Sequence, residues 1–103
     1  IGAFQNTQFE LANMATKVKA AQMLVYRAAM AKATQKTYSE EAAMAKLYAS
    51  ELCVKASNEA IQIHGGYGYT TDYPVEKFFR DAKLCTIGEG TSEILKLVIS
   101  RKL

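Results

Sequence analysis

From Phe4 to Thr34 the chain carries no proline and no glycine, and it is rich in Ala, Met, Lys and Gln. These are strong helix formers, and nothing within the stretch stops a helix once it has started. Leu11, Met14, Val18, Ala21, Val25 and Ala28 recur at steps of three and four, while Lys17, Lys19 and Arg27 fall off that stripe. The spacing predicts one long amphipathic helix.

A second helix follows after the polar connector 35–38. Thr37 or Ser39 is its expected cap, with Glu40 and Glu41 at the positive end of the helix dipole. Its stripe is Ala42, Ala45, Ala49, Leu52, Ala56, Ala60 and Ile63, ending near His64. So many alanines let a partner helix come close, and the short connector makes the two long helices antiparallel neighbours.

Gly65-Gly66-Tyr67-Gly68 breaks the pattern, and Gly65 is expected to end the helix in a left-handed conformation. Pro74 suits the first turn of a third helix running to about Cys85, with Val75, Phe78, Phe79 and Ala82 as its apolar face and Glu76 paired to Arg80. The last helix, Ile94 to Leu103, carries Ile94, Leu95, Leu97, Val98 and Ile99, a band too wide for a solvent-facing helix. Its cover is expected to come partly from another domain or subunit. No segment alternates like a strand. The fold class is therefore all-α, a four-helix up-and-down bundle of two long helices and two shorter ones.

Composition narrows the function. The 103 residues are half hydrophobic, enough for a real core. Net charge is +3 with the basic residues spread out, which leaves no nucleic-acid footprint, and no apolar run is long enough to span a membrane. Cys53, Cys85 and the single histidine, His64, match no zinc spacing and no disulfide framework, so buried free thiols are expected. The chain opens at Ile1 without methionine and reads as a piece of a longer one.

Chemistry concentrates in Leu84-Cys85-Thr86-Ile87-Gly88-Glu89-Gly90-Thr91-Ser92-Glu93-Ile94. Glycines on both sides of Glu89 let the backbone approach a ligand, and Thr91 or Ser92 can cap the helix that follows. A carboxylate and the free amides of a helix start, side by side, can serve as base and as carbonyl polariser. The plain alternative is a solvated capping glutamate. His64 reads as a helix-end residue satisfying carbonyls, Arg80-Asp81 as structural, and Tyr67 and Tyr69 as packing residues.

Three stretches in order carry a resemblance. Gln62-Ile63-His64-Gly65-Gly66-Tyr67-Gly68-Tyr69 is followed by Tyr73-Pro74-Val75-Glu76-Lys77 with Arg80-Asp81-Ala82-Lys83, and then by Ile87-Gly88-Glu89-Gly90-Thr91-Ser92-Glu93-Ile94. Together with Phe4-Gln5, Gln8-Phe9 and the segment 11–15, this resembles the C-terminal helical domain of the acyl-CoA dehydrogenases, of short-chain or medium-chain type. The likeness covers essentially all of residues 1–103, with the family's N-terminal helical and middle β domains absent.

The resemblance implies an FAD-dependent oxidation of an acyl-CoA thioester to the 2,3-enoyl-CoA. Glu89 matches the base that removes the α-proton, and Gly88, Glu89 and Gly90 match the segment around the reacting thioester. Gln62, Gly65 and Gly66 match a motif that approaches the FAD of a neighbouring subunit, and Thr91 and Glu93 match positions that touch FAD. The implied partners are an electron-transfer flavoprotein and further copies of the chain, as a dimer or tetramer. The implied location is the bacterial cytoplasm or the mitochondrial matrix. Alone, residues 1–103 are expected to bind FAD poorly and to be inactive. Many family members carry a bulky aromatic where Gly88 stands, so a wider acyl pocket is expected. The competing readings are an acyl-CoA oxidase-like domain, with oxygen as acceptor, and a non-catalytic helical bundle used for assembly or binding.

Overall fold

The computed structural model describes residues 4–103. Four α-helices appear in the expected order: α1 (Gln5–Thr34), α2 (Ser39–His64), α3 (Val75–Leu84) and α4 (Ser92–Ser100). A short 3₁₀ turn, Gly65–Tyr69, joins α2 to the loop before α3. Among the described residues there is no strand.

Everything is arranged around α2. Its backbone runs close to α1, α3, α4 and the 3₁₀ turn, whereas the α1 backbone approaches no helix but α2, and the α3 and α4 backbones stay apart. The two long helices run antiparallel: Glu10, Met14 and Lys17 lie beside Leu52, Ala56 and Glu59, while Val25 lies beside Ala49 and Cys53. The radius of gyration is 16.0 Å, against about 13 Å for a globule of this length. An elongated shape follows directly from α1 having one neighbour.

The α1 seam differs in detail from the sequence stripe. Thr7, Glu10, Met14, Lys17, Ala21, Leu24, Ala28 and Ala31 turn inward, a strict alternation of steps of three and four. Met14, Ala21 and Ala28 belong to the predicted stripe, but Leu11, Val18 and Val25 form a parallel row that stays exposed. Polar side chains hold seam positions where an apolar count had placed aliphatic ones. Lys17 there faces Lys55 of α2, whose ammonium group holds Lys17 below the usual lysine range, with Glu10 pulling the other way.

The predicted stripe of α2, Ala42 to Ile63, turns inward, buried at Ala45 and half-buried at its other positions. A second face, Ala43, Leu47, Ser50 and Val54, is covered as well, because α3 and α4 pack on that side. The buried contact residues are small, including Ala21, Ala31, Ala43, Ala45 and Ala82. Short side chains at the contacts allow close axes.

Caps and faces show several corrections. The N-cap of α2 is Tyr38, without a side-chain hydrogen bond, so neither Thr37 nor Ser39 caps it; Glu40 and Glu41 do occupy the first turn. On α3, Val75, Phe79 and Ala82 face inward but Phe78 is exposed. Arg80 Nε donates to Glu76 at 2.8 Å, as expected, and the guanidinium draws the Glu76 carboxyl below its ordinary range. On α4 only Leu95 of the apolar band is buried, Val98 and Ile99 are half-buried, and Ile94 and Leu97 stand exposed. Cys53 and Cys85 are free, yet both are exposed where burial was expected, since each lies beside an open groove. Tyr67 and Tyr69 are exposed instead of packed; Tyr67 meets only the edge of Tyr73 among aromatic partners.

Candidate active site

The loop 86–92 is built by the way α3 ends. Cys85 and Thr86 donate to carbonyls three residues back, and the N–H groups of Ile87 and Gly88 both reach Leu84 O, so the chain coils tightly past the last helical turn. Ser92 N–H then donates to Thr86 O at 3.2 Å and closes the loop. Thr91 caps α4, its hydroxyl accepting from Ile94 N–H at 3.3 Å. Of the two caps suggested by sequence, Thr91 is the one used, and Ser92 begins the helix.

Glu89 stands at the turning point with φ +59°, the one non-glycine residue with positive φ among those described. Gly90 follows at φ +107°. A left-handed glutamate costs about 1–2 kcal/mol relative to the ordinary conformation. The opposing interaction comes from α2. Lys46 Nζ donates to Gly88 O at 2.8 Å and to Gly90 O at 2.6 Å, gripping the carbonyls on either side of Glu89. Hydrogen bonds from a charged donor contribute about 1.5–3 kcal/mol each, enough to offset the strain. Sequence reasoning missed Lys46, because a lysine inside a helix looks like any solvated one.

Two grooves flank this loop. One, of about 740 Å³, is lined by Lys46, Ala49, Cys53, Leu84, Gly88 and Glu89 and is mostly apolar. The other, of about 580 Å³, takes Lys55, Lys83, Thr86, Thr91, Ser92 and Glu93. Ser92 Oγ is buried beneath this surface without a hydrogen-bond partner among the described residues. The groove pairs two lysines, Lys55 and Lys83, with two glutamates, Glu51 and Glu93, so its lining is polar and balanced in charge.

The glycines divide by cause. Gly68 is a packing necessity, since a Cβ there would meet Ile61 O at 2.7 Å and His64 Cβ at 2.8 Å. Gly65 is required by its backbone, with φ +66° but ψ −145°, a glycine-only conformation outside the expected left-handed helical region. Gly66 has neither reason: its φ is ordinary and a Cβ would meet nothing within 4 Å. Gly88 likewise has an ordinary φ, and a Cβ would lie 3.4 Å from Leu84 O and 3.8 Å from Leu84 Cδ1. His64 Nδ1 lies 2.8 Å from Ala60 O, the helix-end role expected of it.

The predicted site residues therefore form two groups. Gly88, Glu89, Gly90, Thr91 and Glu93 share the loop and the start of α4, near the middle and first half of α2. Gln62, Gly65 and Gly66 lie at the far end of α2. The 16 residues from Lys46 to Gln62 correspond to about 24 Å of helix. Among the described residues no three His, Cys, Asp or Glu side chains gather as a metal site needs, and no helix is long and apolar enough to cross a membrane.

The family model described as acyl-CoA dehydrogenase, C-terminal domain, matches residues 1–103. A probable acyl-CoA dehydrogenase of Bacillus subtilis is 53% identical over the whole chain, which covers 27% of that protein. The caffeyl-CoA reductase-Etf complex subunit of Acetobacterium woodii is 50% identical, again over the whole chain and 27% of the relative. The butyryl-CoA dehydrogenase structure from Megasphaera elsdenii superposes with a TM-score of 0.94 at 42% identity, over 98% of this chain and 26% of that one. The chain thus spans roughly a quarter of the length of the proteins it matches.

Proposed function

The chain belongs to the acyl-CoA dehydrogenase family, matching its C-terminal domain, and from that premise we propose that Glu89 is the base that removes the α-proton of an acyl-CoA thioester. The observation that carries the reading is the left-handed Glu89 held between two glycines. A capping glutamate needs no such conformation, and Thr91 already caps α4. Strain retained at one polar residue argues for a use of that residue.

In this reading the Glu89 carboxylate takes the proton, and the electron pair left on the α-carbon delocalises onto the thioester oxygen. The Glu89 N–H, which has no acceptor among the described residues, is free to donate to that oxygen as negative charge develops. Glu89 is exposed within this chain; an apolar acyl chain closing over it would strip water away and strengthen it as a base. FAD, when bound, supplies the acceptor for the β-hydrogen and its electron pair, which leaves the 2,3-enoyl thioester.

The residues present fit such a cofactor. Thr91, Ser92 and Glu93 line a polar groove beside the Glu89 loop, together with Lys55 and Lys83. Gln62, Gly65 and Gly66 would serve a second FAD, held by a neighbouring subunit. Two observations support that division: the separation along α2, and Gly66, where open space and an ordinary φ leave a ligand's approach as the reason for glycine. The exposed row Leu11, Val18 and Val25 fits a self-associating enzyme. The wider acyl pocket at Gly88 and electron transfer to an electron-transfer flavoprotein belong to the same reading.

The relationship to the Acetobacterium reductase subunit favours a second direction for the same chemistry. In that direction protonated Glu89 would give its proton to the α-carbon of an enoyl thioester while the β-carbon takes up a hydride, which reduced FAD, when bound, would supply. The test uses the full-length protein, anaerobic, with a panel of saturated acyl-CoAs and flavin absorbance as readout. Bleaching in wild type and none in Glu89→Gln is the expected result. Bleaching in both moves the base elsewhere and leaves this domain a scaffold. Oxygen consumption in place of electron-transfer flavoprotein reduction marks an oxidase.

A further inference from the structure

We propose that Lys46 is a positioning residue for Glu89: by donating to the carbonyls of Gly88 and Gly90, its ammonium group fixes the left-handed turn that aims the carboxylate at its substrate. This rests on Glu89 being the base.

The geometry carries it. Positive φ at Glu89 and Gly90 brings the Gly88 and Gly90 carbonyl oxygens within 2.8 and 2.6 Å of one nitrogen. Two oxygens converging on one point repel each other unless a cation lies between them, and a charged ammonium with three donors is suited to bridge them. Lys46 is held by the α2 backbone, partly buried, so the grip is tied to the most connected element of the fold. Without it, the loop loses its only side-chain hydrogen bonds to α2 among the described residues, and Glu89 is free to relax into an ordinary conformation that re-aims its carboxylate. Neither Gly88 nor Gly90 has a side chain that could take over the tether. Lys46 touches the backbone flanking the base and is assigned no part in proton transfer.

Lys46→Met and Lys46→Arg in the full-length, flavin-loaded protein test this, with Glu89→Gln in parallel. Lys46→Met keeps the aliphatic stem and removes the donor. Its rate of flavin reduction is expected to fall about 100-fold, the scale of a catalytic group misplaced by an ångström, while the acyl-CoA dissociation constant stays near wild type. Lys46→Arg, which can still donate to both carbonyls, is expected to recover part of the rate. A Lys46→Met protein that reduces at the wild-type rate overturns the proposal, as does an arginine variant no faster than the methionine one. Wild-type flavin reduction in Glu89→Gln overturns the base assignment instead, and so separates the two failures.

Should Lys46→Met not retain flavin, the wild-type protein decides. Reductive methylation mapped by mass spectrometry is expected to leave Lys46 unmodified while the exposed Lys36 reacts. Equal reactivity of the two would show that the tether is not formed, and would overturn the proposal.

Discussion

Ser92 N–H reaches back to the carbonyl of Thr86 at 3.2 Å, and that single bond makes a closed loop of what would otherwise be a link between two helices. Inside the closure the backbone turns through two successive positive-φ residues, and Glu89 is the one of the pair with a side chain. The arrangement makes conformational cost and chemical role separable, because they respond to different substitutions.

Glu89→Gly removes both the carboxylate and the Cβ that makes positive φ unfavourable. The variant is expected to be catalytically dead and yet more stable than wild type, by up to about 1 kcal/mol once the extra chain entropy of glycine is subtracted. Glu89→Gln keeps the Cβ and should lose about 10²–10⁴-fold in rate with no gain in stability. Thermal unfolding of the two variants beside wild type checks both statements; an equal melting temperature for Glu89→Gly and Glu89→Gln counts against the strain.

Gly66 and Gly68, two residues apart, should respond in opposite ways to alanine. Gly68→Ala drives a methyl group into Ile61 O and His64 Cβ and is expected to destabilise by about 1–3 kcal/mol, as overpacking does. Gly66→Ala meets nothing in this chain and should leave stability of the flavin-free protein unchanged while weakening flavin retention. Flavin retained equally by Gly66→Ala and wild type would remove Gly66 from the cofactor contacts.

Gly88→Tyr should fold normally, since its Cβ falls at ordinary contact distance from Leu84 and its φ needs no glycine. The ring would narrow the groove it enters. Activity across a panel of straight and branched acyl-CoAs should then shift toward slimmer acyl groups. An unchanged preference would show that other walls set specificity.

Lys17→Met should stabilise the protein by removing the repulsion between Lys17 and Lys55 in the α1–α2 seam, a gain that the lost attraction of Glu10 for Lys17 reduces. Because the folded value of Lys17 is lowered by Lys55, both ammonium groups are charged and the repulsion is full below that lowered value. As pH rises through it, the folded state sheds a proton and the repulsion fades. The gain from the substitution is thus largest near neutral pH, shrinks in the alkaline range, and is screened by salt. Melting curves at neutral and alkaline pH, at low and high salt, read this directly. A gain independent of both conditions would point to packing instead of charge.

The four helices were legible because each leaves a strong local signal: a proline- and glycine-free run, a glycine stop at Gly65, Pro74 before α3, Thr91 before α4. The stripe of α2 was legible for the same reason. Which row of α1 faces inward was not, because Thr7, Glu10 and Lys17 occupy the seam and Leu11, Val18 and Val25 do not. A periodicity argument assumes that apolar residues face the chain's own core, and these face outward. The glutamate between glycines marked the site, but its left-handed backbone and its tether to Lys46 depend on where α2 lies beside the loop. That is a tertiary relationship between residues more than forty positions apart. The separation of Gln62, Gly65 and Gly66 from the Glu89 loop was likewise invisible until α2 had a measured length.

Because the α1, α3 and α4 backbones all lie close to α2 and not to one another, α2 acts as a ruler. Lys46 marks one graduation and Gln62 another, and the interval is set by a count of residues, each adding about 1.5 Å and a turn of about 100°. A substitution between them alters a contact; an insertion or deletion alters the scale itself, displacing one region and rotating it to another side of the helix. A library of variants along this segment should therefore accept many changes of letter and almost none of length.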